Sequence, residues 1–217
     1  MQKIINSLRW IMKQIIFATG NKAKLAQIRF VVEHFKFPVE IVSGKEIYGD
    51  KAKYEEIGDT VDKVALNGAL FVAKSIGLPV ITEDTDIRVD VLNGEPGIRA
   101  GEYLKNYGRE GILERMKDKT NRQASICSAV GYATPGGESK LFSNLLRGTI
   151  SNTERFGQFP IWVAPDKDNP WGGGYSPIFI PEGYNKTIGE ISPEDAIPWS
   201  YRERNFIEVI KYILNID

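Results

Sequence analysis

The sequence has almost no cysteine or histidine: Cys127 and His34 are the only examples among 217 residues. A single thiol excludes an internal disulfide and a cysteine-based metal cluster, and it fits a reducing compartment, so we expect a cytoplasmic protein. His34 falls late in the first predicted helix, where an exposed or capping position is more common than a catalytic one. The sequence therefore argues against a histidine-dependent nucleophile relay and a His-rich zinc site.

Net charge and long apolar runs are also missing. Lys plus Arg and Asp plus Glu number 28 each, so no overall field attracts nucleic acid or an anionic membrane, and any anion binding must be local. No apolar stretch approaches the roughly 20 residues of a membrane-spanning helix. We therefore expect neither a nucleic acid polymer nor a membrane as a partner.

The amino end does not look like a secretion signal. Its short apolar run is interrupted by Asn6, Arg9 and Lys13, and it lacks a small-residue cleavage site. Met12 stands directly before the first predicted strand, so we interpret 1–12 as an N-terminal extension, either a short helix or a start-site artefact. The rest, 13–217, is long and apolar enough for one compact domain.

Strand-like and helix-like patterns alternate in the first half of the chain. The apolar spacing predicts a first strand at 15–18, then a helix over 23–36, a strand over 39–42, a helix over 60–75 and a strand over 80–82. Such alternation is typical of an α/β core with parallel strands. Farther on, the pattern predicts a helix over 109–116, a long hairpin of 123–134 with 139–150, and a helix over 201–214.

A polar turn, residues 19–21, joins the first predicted strand to the first helix. Thr19, Gly20 and Asn21 lie where the helix begins, and free backbone N–H groups and the positive end of the helix dipole favour an anion there. Lys22 and Lys24 add positive charge in the first helical turn. This order of strand, polar turn and lysine-bearing helix start suits phosphate binding, although it matches neither the Walker pattern nor GxGxxG. An ordinary strand, turn and helix with an Asn cap and surface lysines is the alternative, and the spacing alone leaves both open.

Carboxylates gather at a second predicted strand end. The cluster 83–86, Glu-Asp-Thr-Asp, follows the strand at 80–82, and Glu55 and Glu56 come just before the second helix. Ligands of open α/β sheets bind at such strand ends, and Mg²⁺ binds oxygen ligands, usually one or two carboxylates plus substrate phosphates. A solvated acidic loop is the alternative. Together with the polar turn, the carboxylates favour Mg²⁺-assisted phosphoanhydride chemistry, in which the metal polarises phosphate and orients water.

Several motifs make the sequence resemble the non-canonical purine nucleoside triphosphate pyrophosphatases, the inosine/xanthosine triphosphatase family. Thr19, Asn21 and Lys24 match its opening Thr-x-Asn-x-x-Lys. Residues 83–85, with the Gly-x-Pro-Gly turn at 94–97, match its acidic motif, and 174–187 match its late Gly-Tyr-Asp-Pro-Ile-Phe region apart from Ser176 in place of Asp. The matches keep their order over nearly the whole chain from residue 13.

The resemblance implies an α/β fold in which 13–217 form a single two-lobed domain: an elongated mixed β-sheet with two α/β lobes around a central cleft, usually as a homodimer. It implies Mg²⁺-dependent hydrolysis of a nucleoside triphosphate to a monophosphate and pyrophosphate, a nucleotide-pool housekeeping activity. Asp84 would be the catalytic base and a metal ligand, with Glu55 or Glu56 as the second ligand. Substrate contacts would come from residues of the matched motifs: Thr19, Gly20, Asn21, Lys24, Thr85, Gly174, Tyr175, Ser176, Tyr201 and Arg202.

The departures from the family pattern concentrate where the base is read. Gly173 and Ser176 replace a stacking Phe and an Asp, while Ala196 and Tyr201 replace the Lys and His that read a 6-oxo purine. Of the Lys, His and Arg in that part of the family motif, only the Arg is retained, as Arg202. A pocket without matched polar groups discriminates weakly, so we predict no strong preference for inosine or xanthosine triphosphate. A degenerate, non-catalytic nucleotide-binding relative is the alternative.

Two further departures lie beside the expected site. Asp86 replaces a Gly next to the catalytic carboxylate, and we expect like-charge repulsion to raise the carboxylate pKa values if Asp84 and Asp86 share a face of an extended strand. An insertion over 157–169 contains Trp162 and precedes Trp171. These rings are expected either to provide an aromatic platform for the base or simply to pack the loop.

Overall fold

A computed structural model describes residues 12–157 and 173–216 of the chain. Two predicted segments lie outside the described residues: the extension 1–12 apart from Met12, and the insertion 157–169 apart from Gly157. Trp162 and Trp171 therefore also lie outside them. The strands are β1 Lys13–Phe17, β2 Val39–Ser43, β3 Val80–Val89, β4 Glu95–Gly97, β5 Gln123–Ala133, β6 Ser139–Ile150 and β7 Phe179–Pro181. The helices are α1 Lys22–Phe35, α2 Gly44–Tyr48, α3 Val61–Ile76, α4 Ala100–Tyr107, α5 Glu110–Arg115, α6 Pro193–Ala196 and α7 Tyr201–Leu214.

The described strands form one mixed sheet in the order β2-β1-β3-β5-β6-β7, with β4 added on β3. β1 runs parallel to β2 and β3, whereas β3, β5, β6 and β7 pair with antiparallel neighbours. The hairpin of β5 and β6 is closed by Thr134, whose backbone N–H donates to the Glu138 carbonyl at 2.8 Å. The mixed α/β fold and the long hairpin predicted from the sequence are both confirmed.

The structure corrects the interpretation of residues 80–92. The predicted strand at 80–82, the polar cluster 83–86 and most of the following stretch form a single strand, β3. It pairs with β5 along its whole length, from Val80 opposite Ala133 to Val89 opposite Ala124. Pairing with a neighbouring strand therefore overrides the polar composition that suggested a strand end. The acidic cluster lies in the middle of β3 rather than beyond its carboxyl end.

The other edge of β3 is open at this cluster. β1 pairs with β3 only at Val80 and Ile81, and β4 takes up pairing from Ile87. Among the described strands, residues 83–86 thus lie between the end of β1 and the end of β4, where Gly97 pairs with Ile87. Because β1 leads directly into the polar turn, this gap brings the turn and the acidic cluster together.

Separate apolar cores lie on either side of this gap. One contains Phe17 of β1 and Phe206 of α7, whose rings meet edge to face with centroids 5.7 Å apart. The other, at the far end of the sheet, contains Ile126 of β5 and Phe179 of β7. These are the two largest of the four apolar clusters among the described residues, and their position on either side of the gap agrees with the predicted two lobes around a cleft. Within the described ranges, no helix is both long and apolar enough to cross a membrane.

Candidate active site

A cleft of about 1080 Å³ opens at the gap beside β3. It is lined by the polar turn, by the acidic cluster of β3, by residues 52–54 and Glu56, by the amino-terminal part of α4, by residues 173–175 and by the start of α7. Eleven of the predicted site residues line this cleft: Thr19, Gly20, Asn21, Lys24, Glu56, Asp84, Thr85, Gly174, Tyr175, Tyr201 and Arg202. Glu55 and Ser176 are the two predicted site residues outside its lining.

The polar turn is an Asn-capped helix start. The Asn21 side-chain oxygen accepts from the backbone N–H of Ala23 at 2.9 Å and of Lys24 at 3.2 Å, and Thr19 Oγ1 accepts from the Asn21 N–H at 3.1 Å. The expectation that these helix-start N–H groups are free is therefore wrong. Positive charge comes instead from side chains, including Lys45, which the sequence interpretation missed. Lys45 passes so close to Gly20 that a Cβ there would lie 3.1 Å from its Nζ.

Lys24 is anchored to β3. Its ammonium lies 2.8 Å from Glu83 Oε2 and donates to the Glu83 backbone carbonyl at 2.9 Å. The Glu83 side chain has no exposed surface and also accepts from Ser128 Oγ at 2.8 Å and from Arg202 Nε at 3.1 Å. Burial raises the pKa of Glu83, but Arg202 and Lys24 more than offset it and lower the pKa to about 2. Glu83 is thus an ionised anchor for two cations of the cleft wall.

Asp84, the neighbouring carboxylate, is in the opposite electrostatic situation. Burial is the largest cause of its raised pKa, Lys24 opposes the rise, and the negative charges of Glu83 and Glu56 add to it, so the pKa reaches about 7. Adjacent residues of an extended strand point to opposite faces, which separates Asp84 from the ion pairs of Glu83. The carboxyl group that the sequence predicted as catalytic is therefore the one that titrates near neutral pH.

Arg202 connects three elements beneath the cleft. Besides Glu83, its guanidinium donates to Gln27 Oε1 of α1 at 2.7 Å and to Thr85 Oγ1 of β3 at 3.0 Å. Thr85 in turn hydrogen-bonds the Glu83 carboxylate. The resemblance assigned Arg202 and Thr85 to substrate binding. The structure places both at the cleft wall with several of their polar groups committed to protein partners.

The two adjacent glutamates point to different places. Glu56 lines the cleft and is one of the charges that raise the Asp84 pKa, whereas Glu55 lies in a neighbouring groove with Asn67 and Phe71. The backbone here is fixed because Asn67 Nδ2 donates to the Ile57 carbonyl at 3.0 Å. Of the pair that the sequence left open, the structure brings Glu56 to Asp84.

The donor set of the cleft fits a magnesium ion. In the described part of the chain, no three His, Cys, Asp or Glu side chains form a group able to hold a metal by themselves, so Glu55, Glu56 and Asp84 are not a ready-made triad. Mg²⁺ commonly binds through one or two carboxylates and completes its shell with water and substrate phosphates. Asp84 and Glu56 line one cleft, and repulsion from the Glu56 charge contributes to the raised pKa of Asp84. A divalent cation there would relieve that repulsion.

Asp86 does share the Asp84 face of β3, because the strand is extended throughout. Its buried carboxylate is paired with Arg88, at 2.7 Å from Nε and 2.6 Å from Nη2, and accepts from the Cys127 N–H at 3.3 Å. Burial raises the Asp86 pKa despite the contact with Arg88. The like charges among the main causes of the raised Asp84 pKa are Glu83 and Glu56, and burial outweighs both.

The positions that read the base in the family carry different side chains in this cleft. Tyr201 and Ser176, at the positions of the lost His and Asp, are both buried, and Ser176 lies close enough to the Tyr201 hydroxyl to influence its pKa. Burial raises the Tyr201 pKa, so its hydroxyl stays neutral. The opposite wall carries Arg99, Glu102 and Lys105 around α4, a short helix that the sequence analysis did not predict. The sequence signal for this helix was the three-residue spacing of the charged side chains that follow the Gly-x-Pro-Gly turn.

Comparison with known proteins shows the family to which the chain belongs. A model of the Ham1 family matches residues 15–212. The chain is 33% identical to the dITP/XTP pyrophosphatase of Methanopyrus kandleri, over 88% of this chain and 91% of that protein, and 31% identical to that of Methanosarcina mazei, over 91% and 97%. The structure of the Staphylococcus aureus Ham1 protein superposes with a TM-score of 0.72 at 24% identity, covering 94% of this chain and 98% of that one. The resemblance predicted from the motifs is confirmed, and the chain belongs to the Ham1 family.

Proposed function

We propose that the chain is a Mg²⁺-dependent nucleoside triphosphate pyrophosphatase that releases a nucleoside monophosphate and pyrophosphate. One observation carries the proposal: Asp84, with a pKa raised to about 7, lies in the same cleft as Glu56 and as the lysine-bearing polar turn. A carboxylate poised near neutral pH beside cations suits proton removal from water at a phosphate. The names of the relatives, dITP/XTP pyrophosphatases, support the same reaction class.

In this mechanism the Asp84 carboxylate accepts a proton from the attacking water. The water oxygen bonds to the α-phosphorus, the bond from that phosphorus to the bridging oxygen breaks, and pyrophosphate leaves with that oxygen. Asp84 and Glu56 would hold Mg²⁺, which, when bound, neutralises phosphate charge and polarises the reacting phosphoryl group. Lys45 and Lys24 would add positive charge at the polar turn, and Glu83 keeps Lys24 in place.

The base specificity that we propose is broader than that of a dedicated inosine or xanthosine triphosphatase. Ser176 and Tyr201 are both buried, and they stand where the family has the Asp and His that read a 6-oxo purine. A site without groups matched to one base loses little when a substrate lacks the matching group. We therefore propose a nucleotide-pool enzyme that accepts several triphosphates, and the true substrate is to be found by assay.

The direct test is pyrophosphate release from a panel of nucleoside triphosphates with and without Mg²⁺. We expect Mg²⁺-dependent release by the wild type and loss of about 10³-fold or more in kcat in Asp84→Asn, since the amide can neither take the proton nor carry the charge. Matched variants Glu56→Gln and Glu55→Gln should separate the ligand from its neighbour: only the first should raise the Mg²⁺ requirement. Nucleotide binding without any turnover would instead identify a non-catalytic relative.

A homodimer in the cytoplasm completes the proposal. The family resemblance supports the dimer, and the single, unpaired cysteine is compatible with a reducing compartment. Light scattering coupled to size-exclusion chromatography would measure the mass in solution, and a mass of one chain, near 24.4 kDa, would contradict the dimer.

A further inference from the structure

A turn of three residues, Gly173, Gly174 and Tyr175, forms part of the cleft wall. Both glycines have left-handed backbone conformations, with φ of 77° and 55°. Glycine has the largest backbone freedom of any residue, and these two carry no side chain that could anchor them. The fixed shape of this glycine turn therefore has to come from contacts with other parts of the fold.

One such contact comes from Arg109, the residue that precedes α5. Its guanidinium Nη1 donates to the Gly174 carbonyl at 2.9 Å, and its Nε lies 2.9 Å from Glu154 Oε2. The side chain is only 3% exposed and also lies over the Phe156 ring, 5.5 Å from the centroid. A hydrogen bond from a charged donor is among the stronger ones available to a backbone carbonyl.

The charge of Arg109 does not by itself require the contact with Gly174. Its ion pair with Glu154 already compensates a buried cation, and the aromatic face of Phe156 stabilises it further. The forked guanidinium allows one nitrogen to hold the carboxylate while another reaches the carbonyl, which a lysine ammonium could not do with the same geometry. The neighbouring Tyr175 adds a second tie, because its hydroxyl donates to the Ala100 carbonyl of α4 at 2.8 Å.

We propose that Arg109 is a positioning residue that fixes the glycine turn against the cleft and thereby sets the affinity for the nucleotide. The inference rests on the proposed function, because it takes the cleft as the nucleotide site. Arg109 is absent from the cleft lining, whereas Asp84 is part of it, so the loss of Arg109 changes binding rather than the chemical step. In kinetic terms, the loss of Arg109 raises KM and leaves kcat nearly unchanged.

The test compares Arg109→Gln and Arg109→Lys with the wild type. Arg109→Lys keeps the charge opposite Glu154 but loses the fork, so it remains informative if Arg109→Gln does not fold. We expect KM to rise about tenfold or more in both, with kcat within about twofold. Arg115→Gln is the matched control: it removes the arginine at the end of α5, which pairs with the exposed Glu95, and it should leave both constants unchanged.

Hydrogen exchange at the turn supplies a second readout that does not depend on catalysis. The Ser176 N–H donates to the Gly173 carbonyl at 3.0 Å and so reports opening of the turn. We expect its exchange to accelerate about tenfold or more in Arg109→Lys, with no comparable change in β5. A wild-type KM in a folded Arg109→Lys, or equal losses of kcat and kcat/KM, would overturn the inference. Wild-type exchange at Ser176 in that variant would also overturn it, because Arg109 would then not fix the turn.

The two proposals fail in different ways. If the wild type released no pyrophosphate from any triphosphate, the proposed function would be wrong and the KM expectation would fall with it. The exchange of Ser176 would still decide whether Arg109 fixes the turn. If the wild type were active and the Arg109 variants matched it in KM, the proposed function would stand and this inference would be wrong.

Discussion

Replacing Asp84 by Asn is expected to stabilise the metal-free protein while it removes activity. The folded-state pKa of Asp84 is raised from 3.8 to about 7. The folded state therefore binds more protons than the unfolded state between these values, and this carboxyl group makes the protein less stable as the pH rises from about 4 to about 7. Asn resembles the protonated acid in size and carries no charge, so it escapes this penalty.

The size of the effect follows from the shift. Each pKa unit corresponds to 1.36 kcal/mol, so a rise from 3.8 to about 7 costs the ionised wild type about 4 kcal/mol above pH 7. Asp84 is only partly buried at the wall of an open cleft, where solvent screens its charge, so we expect a gain of about 2 to 4 kcal/mol for Asp84→Asn at pH 8. Near pH 4 the difference should vanish.

The assay is urea unfolding of both proteins in the presence of a chelator at pH 4.5, 6, 7 and 8. Acid effects of groups that do not interact with Asp84 occur in both proteins and cancel in the difference. Saturating Mg²⁺ should shrink or reverse the gain, because the cation stabilises the folded wild type by mass action. Asp59→Asn, at an exposed residue paired with Lys63 on the surface, is the control and should show no such pH dependence. A gain in Asp84→Asn that is the same at every pH, or a loss at pH 8, would refute the reasoning.

Three further outcomes are expected. Glu83→Gln should destabilise the fold by about 3 to 5 kcal/mol in urea unfolding, because Lys24 and Arg202 lose their buried partner. The stability that Glu83 contributes should be present above about pH 4.5 and lost as the pH falls toward 2. Protons compete with Mg²⁺ at Asp84, so the apparent Mg²⁺ affinity in titrations should rise up to tenfold per pH unit below about 7 and level off above it, and a flat profile would contradict the site. In kcat/KM measurements at one Mg²⁺ concentration, the preference for inosine triphosphate over adenosine, guanosine and uridine triphosphates should stay below about a hundredfold, or roughly 2.7 kcal/mol; a larger preference would mean that other residues have rebuilt the purine site.

The sequence alone was informative wherever local pattern and motif order carry the information. The spacing of apolar residues predicted α1, α3 and the long hairpin, because these elements are long and strongly periodic. The order of short motifs predicted the family and hence the mixed fold, since no single motif had to be specific. The same motifs indicated Asp84, whose environment in the structure gives it the raised pKa that a base requires.

The tertiary structure decided what depends on contacts between distant parts of the chain. The polar cluster continues β3 because β5 pairs with it over its full length, and no local pattern contains that pairing. Glu55 and Glu56 are adjacent and of the same residue type, and only the packing around them places Glu56 at the cleft and Glu55 in the neighbouring groove. Lys24, Glu83 and Arg202 come from three elements, so their ion pairs, and the separation of the pKa values of Glu83 and Asp84, exist only once the sheet and helices have assembled.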